Sequence, residues 1–410
     1  MQSRDGIETA TIRRSVRRFF AFQLSTEAKF ESAIWIIYLQ SRGLSLAEIG
    51  LAESAFHLAP VLFELPSGSF ADLIGRRWSL ATGSLLVAAS AALLWSATSL
   101  PLATAALFLS GASYSFRSGA DQAYLFDTLS LEADGQRSYP SLLGRLLGAM
   151  YVVGAAAAWI GAAVSGINYG YTFGLAIGVG LGGAWLASGL VEQRDRAVDS
   201  MSHAPKGSLR THLSETRKTV VGSRILSGML AFSAIYWAVA AIAHLYLQAA
   251  FADRGLTNSE VGLVIGVTSL VNALGASFAG RVAGRGAFSR QLALLVAVTG
   301  VGLIGTGLSG LGFAITAYLV ANIASGLIEP LISNWFNQQI DSAQRATVLS
   351  VESWLFSVTM IGAFPAAGWF AERLGWAALY ALCGGVTLAL VVVVLAGTRM
   401  RPPIRPERGF

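Results

Sequence analysis

The sequence predicts an all-α integral membrane protein: twelve transmembrane helices arranged as two pseudo-symmetric six-helix bundles. Three observations carry this reading. The 410 residues are 54% hydrophobic and only 13% charged, about half the charge density usual in soluble domains. They fall into twelve predominantly apolar stretches, each near the ~20 residues that a bilayer core asks of a helix. A motif of the first half also returns in the second. The 45 glycines suit such a bundle, because small residues let helices approach closely.

Span 1 is expected over 19–41. Before it stands "TIRRSVRRFF", which superficially resembles a twin-arginine export signal. The span that follows carries Glu27, Lys29 and Glu31 and lacks a small-residue cleavage site, so the run reads as a basic anchor. Spans 2 to 6 are expected over 49–71, 78–98, 102–125, 142–166 and 171–191. A polar stretch, Glu192 to Gly222, then separates the halves, and reads either as a short amphipathic helix at the inner surface or as a flexible tether. Spans 7 to 12 follow over 223–250, 259–280, 290–309, 313–336, 348–370 and 376–397. The expected organisation is a bundle over 1–191, a loop over 192–222 and a bundle with a short tail over 223–410. No span alternates with a period of two, which excludes a membrane barrel.

Charge sets the orientation. With both termini inside, the outer loops hold only Arg42, Arg254 and Arg373, while Lys29 and Arg117 lie within the membrane. Every other lysine and arginine falls on the inner side, so the net charge of +6 is a topology signal rather than a nucleic-acid patch. The expected location is a bacterial cytoplasmic membrane, a guess that leans on the Ala, Gly and Arg richness of the chain.

"RGLSLAEIGL" at Arg42 to Leu51 returns as "RGLTNSEVGL" at Arg254 to Leu263, a shift of 212 residues. A weaker echo joins "SGADQAYLFD" from Ser118 to "SGLIEPLISN" from Ser325. Repeats of this kind imply a site near the midplane and alternating access by rocking one half against the other. After span 2 comes "GSFADLIGRR". Gly68, Asp72, Gly75, Arg76 and Arg77 are spaced so that the loop, with the twelve spans and the repeat, resembles the major facilitator superfamily. The resemblance implies a cytoplasmic gate, with Asp72 against the positive end of span 11 and Gly68 allowing close helix approach. It also implies a central cavity lined by spans 1, 4, 7 and 10.

Ionisable residues at membrane depth are costly and are read as functional by default. On span 1, helical spacing puts Glu27 and Glu31 on one face and Lys29 on another. On span 4, Arg117 and Asp121 are four apart and placed to pair along the helix. Arg117 resembles the superfamily's span-4 arginine, which is often tied to proton coupling. Trp237, His244 and Gln248 share a side of span 7, and span 10 offers Asn322 and Glu329, the latter before a kink expected at Pro330. The candidate substrate and proton cavity is therefore Glu27, Glu31, Arg117, Asp121, Trp237, His244, Asn322 and Glu329. Of these, His244 reads more simply as a hydrogen-bonded packing residue, and Arg117 with Asp121 equally as a structural pair. Glu53, His57 and Glu64 form one stripe on span 2, where the acids read as facing interfacial water. Glu352 reads as a gate residue.

Several chemistries are excluded. Cys383 is alone, so neither a disulfide nor a cysteine metal site arises. "GVGLGG" at Gly178 and "GVGLIG" at Gly300 match a dinucleotide-binding pattern but sit in apolar spans, where they read as packing glycines. No phosphate-binding "GxxxxGK" loop and no nucleophile turn occurs, so an enzyme is not expected. No cofactor or metal is expected. The partners expected are a small-molecule substrate, protons and the lipid bilayer, for a monomer that binds no nucleic acid. A buried acid in an alternating-access cavity can take up and release protons, which favours proton-coupled export of an amphipathic or cationic compound. Uptake of an organic solute or anion is the alternative, and a sensor on a transporter scaffold is a third. Exporters of the superfamily commonly carry a "GxxxGPxxGG"-like element in span 5. Here "LLGAMYVVGAAAAWIGAAVSG" has loose glycines and no proline.

Overall fold

The computed structural model describes residues 2–129, 135–191, 222–282, 287–308, 310–340 and 342–396. Among them every regular element is an α-helix. The first span is two helices, α1 (Gln2–Glu27) and α2 (Trp35–Ser41), followed by α3 (Leu46–Leu73) and α4 (Arg76–Ser96). The fourth is also two, α5 (Leu100–Arg117) and α6 (Ala120–Leu129). Then come α7 (Gly135–Ser165) and α8 (Tyr169–Ser188). The seventh splits into α9 (Arg224–Leu245) and α10 (Leu247–Ala252), and α11 (Asn258–Val282), α12 (Phe288–Gly307) and α13 (Leu311–Gln339) follow. The last, α14 (Ser342–Ala396), holds spans 11 and 12 and turns at Gly375, whose φ of 83° leaves the helical region. Among the described residues the helices group into twelve passes. Both alternatives offered for the central loop lie outside the described residues.

The repeat of "RGL" is a repeat of helix starts. Gly43 and Gly255 take φ of 93° and 94°, values that only glycine adopts without strain. Ser45 then caps α3: Glu48 N–H donates to Ser45 Oγ at 3.2 Å, and Ser45 N–H donates to Glu48 Oε2 at 2.9 Å. Thr257 and Glu260 repeat the pair before α11 at 3.3 and 2.8 Å, so both motifs are capping boxes. The weaker echo does not survive. Gly119 breaks a helix with φ of 79°, whereas Gly326 is buried inside α13 against the carbonyl of Asn272.

Span 1 corrects the sequence reading most. The helix stops at Glu27, and residues 28–34 run as turns, with Lys29 N–H on the Glu27 carbonyl and Ile34 N–H on the Glu31 carbonyl. Two side chains compete for backbone acceptors just before the stop. Ser25 Oγ donates to the Phe22 carbonyl at 2.6 Å and Thr26 Oγ1 to that of Gln23 at 2.8 Å, a pattern that bends helices. Pro330, where a kink was expected, lies inside an uninterrupted α13.

By contacts the chain forms two compact units: Met1–Lys206 with Gln248–Ser269, and Gly207–Leu247 with Leu270–Phe410. Thus α10 and the start of α11 belong by repeat to the second half and by packing to the first unit. In the first unit, Phe19, Phe22, Leu80, Tyr124 and Leu146 centre the core. In the second, Tyr236, Val296, Ile328 and Phe336 do so. Arg18 ties the N-terminal anchor down. Its guanidinium donates to the Leu186 and Trp185 carbonyls, both at 2.8 Å, so a cation meets the negative end of α8. In the glycine runs of α8 and α12, Gly180 lies on Ala88 and Gly302 on Ala317 and Ala321, whereas Gly178 and Gly182 meet nothing within 4 Å.

Candidate transport site

Each unit holds a cavity. In the second unit, α9, α13 and α14 enclose about 340 Å³ lined by Trp237, Glu329, Phe336 and Glu352, with Ile332, Ser333 and Leu349. Two carboxylates and two aromatic rings converge there, and none of these residues is a lysine or arginine. Ser233 donates to Glu352 Oε1, which orients that carboxylate. Glu352, read from the sequence as a gate residue, is thus a cavity residue.

Two other predicted residues of this unit are used elsewhere. His244 Nδ1 lies 3.1 Å from the Tyr318 hydroxyl, so His244 ties α9 to α13. Asn322 Nδ2 donates to the Tyr318 carbonyl one turn back at 2.9 Å.

In the first unit the break at 28–34 opens on a much smaller cavity of about 20 Å³, lined by Lys29, Glu31 and Arg117 with Ser25, Thr26 and Ser84. That is room for one water molecule. Lys29 Nζ stands 3.8 Å from Glu27 Oε2. The helical geometry that separated Lys29 from the acids therefore does not apply, because the backbone between them is not helical. The stem of Arg117 crosses Gly83 of α4, where a Cβ would come within 2.6 Å of Arg117 Cγ. Ser118 and Gly119 divide Arg117 from Asp121, so the two stand on separate helices rather than one turn apart on the same one. Asp121 instead accepts from Gln23 Nε2 at 3.3 Å.

The polar stripe of span 2 also changes. Glu53 and His57 are 7% and 6% exposed, with Oε1 and Nε2 3.8 Å apart. Glu53 is a buried partner rather than an acid facing interfacial water, while Glu64 is exposed. Gln248, which the sequence puts on one side of span 7 with Trp237 and His244, stands outside the candidate cavity drawn from the sequence. Its only signal was an amide in an apolar span, and its role depends on what lies opposite.

The family model of the Major Facilitator Superfamily matches residues 20–351 and 247–410. The chain is a member of that superfamily. A curated relative, the uncharacterized MFS-type transporter YxaM of Bacillus subtilis (strain 168), is 43% identical over 51 residues, which span 12% of this chain and 13% of that protein. Among solved structures, the nucleoside transporter NupG superposes with a TM-score of 0.72 at 12% identity, covering 96% of this chain and 100% of that one. The inward open xylose transporter XylE from E. coli gives 0.67 at 12%, covering 96% of each. At such identities the likeness is one of fold.

The superfamily loop motif can be placed accordingly. Gly75, with φ of 119°, makes the corner before α4, a conformation that demands glycine. Arg76 pairs with Asp127 of α6, and the Arg77 guanidinium lies 5.2 Å over the centre of the Trp78 ring. Asp72 is exposed in the last turn of α3. A Cβ built on Gly68 would meet nothing within 4 Å.

Proposed function

We propose that this superfamily transporter exports an amphipathic or cationic small molecule in exchange for protons. The observation that carries the reading is the 340 Å³ cavity, where Glu329 and Glu352 face the same space as Trp237 and Phe336. Carboxylates attract a cation, the ring faces add to that attraction, and a mostly apolar wall accommodates an organic body. The protons would be carried by buried acids, with Glu31 and Asp121 the candidates in the first unit. The transporter would act as a monomer in a bacterial cytoplasmic membrane, with Asp72, Gly75, Arg76 and Arg77 serving the inner gate. Uptake of an anion draws support from Lys29 and Arg117, which line the smaller cavity of the first unit.

The test uses liposomes holding the full chain and a pH-sensitive dye, under an imposed pH gradient. Tetraphenylphosphonium, uridine, xylose and lactate are added in turn. Proton flux in exchange for the organic cation is expected, falling at least about tenfold in Glu329→Gln or Glu352→Gln, as loss of a charge-assisted contact implies. Flux with uridine, xylose or lactate alone overturns the cation reading. Cation flux of equal size in both variants overturns the site.

A further inference from the structure

The unwound segment 28–34 leaves backbone groups without helical partners, a condition tolerated at membrane depth only where protein or water supplies them. One side chain supplies two. Gln248 of α10, 1% exposed, accepts from Ile36 N–H through Oε1 at 3.2 Å. Through Nε2 it donates to the Ser32 carbonyl at 2.9 Å. A single carboxamide thus spans from the break into the first turn of α2. Ile36 and Gln248 also correspond under the 212-residue repeat, so the bond joins a residue to its own repeat equivalent.

On the other side of the same segment lies Glu31. Its Oε2 is buried and has no hydrogen-bond partner among the described residues. The charged groups that face it are Lys29 of the break and Arg117 of α5, which line the same small cavity. Glu27 of α1 stands behind Lys29. The lining residues from α4 and α8 are Ser84, Val87, Ala176, Val179 and Gly180, none of them ionisable. Between Glu31 and the clamped Ser32 there is a single peptide link.

We propose that Gln248 is a positioning residue: it holds the unwound segment and thereby sets the Glu31 carboxylate toward Lys29 and Arg117. The link to Glu31 rests on the proton-carrying role given to that acid above. Hydrogen exchange of the segment 28–36 and infrared pH titration test it, both on the full chain in lipid nanodiscs. The carboxyl band abolished by Glu31→Gln reports Glu31. Gln248→Met keeps the size and removes both hydrogen bonds. Tyr246→Phe, two residues before Gln248, removes the bond to the Phe364 carbonyl and controls for general loosening of the bend.

Gln248→Met is expected to speed exchange of the segment about fivefold and to move the Glu31 midpoint by about half a pH unit or more, with Tyr246→Phe doing neither. Unchanged exchange in Gln248→Met overturns the clamp. Faster exchange with an unmoved midpoint overturns the link to Glu31, and equal effects in both variants overturn a specific role. If Glu31→Gln abolishes no band, the proton-carrying role of Glu31 fails, and with it the link. The exchange rates then decide the clamp by themselves.

Discussion

Gly161 of α7 faces the break in span 1 so closely that a Cβ built on it would lie 1.9 Å from the Phe30 carbonyl oxygen. The obstacle is backbone, which cannot swing aside as a flexible side chain does. Gly161→Ala is therefore expected to lower the thermal unfolding midpoint in detergent, by the ~1–3 kcal/mol typical of overpacking. Gly178→Ala, on α8 where a Cβ meets nothing within 4 Å, is expected to leave it unchanged or slightly raised. Equal midpoints for the two variants would mean that the segment 28–34 yields freely. Nothing in "WIGAAVSG" distinguishes Gly161 from its neighbouring small residues. Its importance comes from a segment about 130 positions away, a separation at which sequence windows are blind.

At the scale of elements, the capping boxes of α3 and α11 were within reach of the sequence, and the breaks in spans 1 and 4 were not. A cap is written into four consecutive residues, as Ser45 to Glu48 and Thr257 to Glu260 are. Ser45→Ala and Thr257→Ala should each cost about 1 kcal/mol, measured as a drop in unfolding midpoint, and the two drops should match. A loss confined to one of them would break the structural equivalence of the repeat. Spans 1 and 4 share a different property: neither is among the stretches that are long and apolar enough to cross a membrane as one helix. Span 7 is, although it also bends, at Tyr246. Helical spacing was carried through residues that are not helical. The separation of Lys29 from Glu27, and the placing of Arg117 and Asp121 on one helix, were lost for that reason.

For the whole molecule, the arginine distribution makes a prediction about orientation. A green fluorescent protein fused after Phe410 should fluoresce, and alkaline phosphatase at the same point should be inactive, as for a cytoplasmic terminus. The reverse pattern would invert the assignment of every loop and place the Arg76–Asp127 pair outside. Fold and family follow from patterns spread over the whole chain, and these were legible: twelve apolar stretches, the "RGL" repeat and the loop from Gly68 to Arg77. Hydropathy, capping and charge bias are properties of contiguous windows, so the sequence by itself determined the spans, the repeat and the expected topology. Only the tertiary structure decided where helices stop inside the membrane, that Glu352 shares a cavity with Glu329, and that Gln248 reaches Ser32 and Ile36. The reason is physical: a backbone or carboxyl group at depth must find its partner, and that partner is supplied by an element distant in sequence.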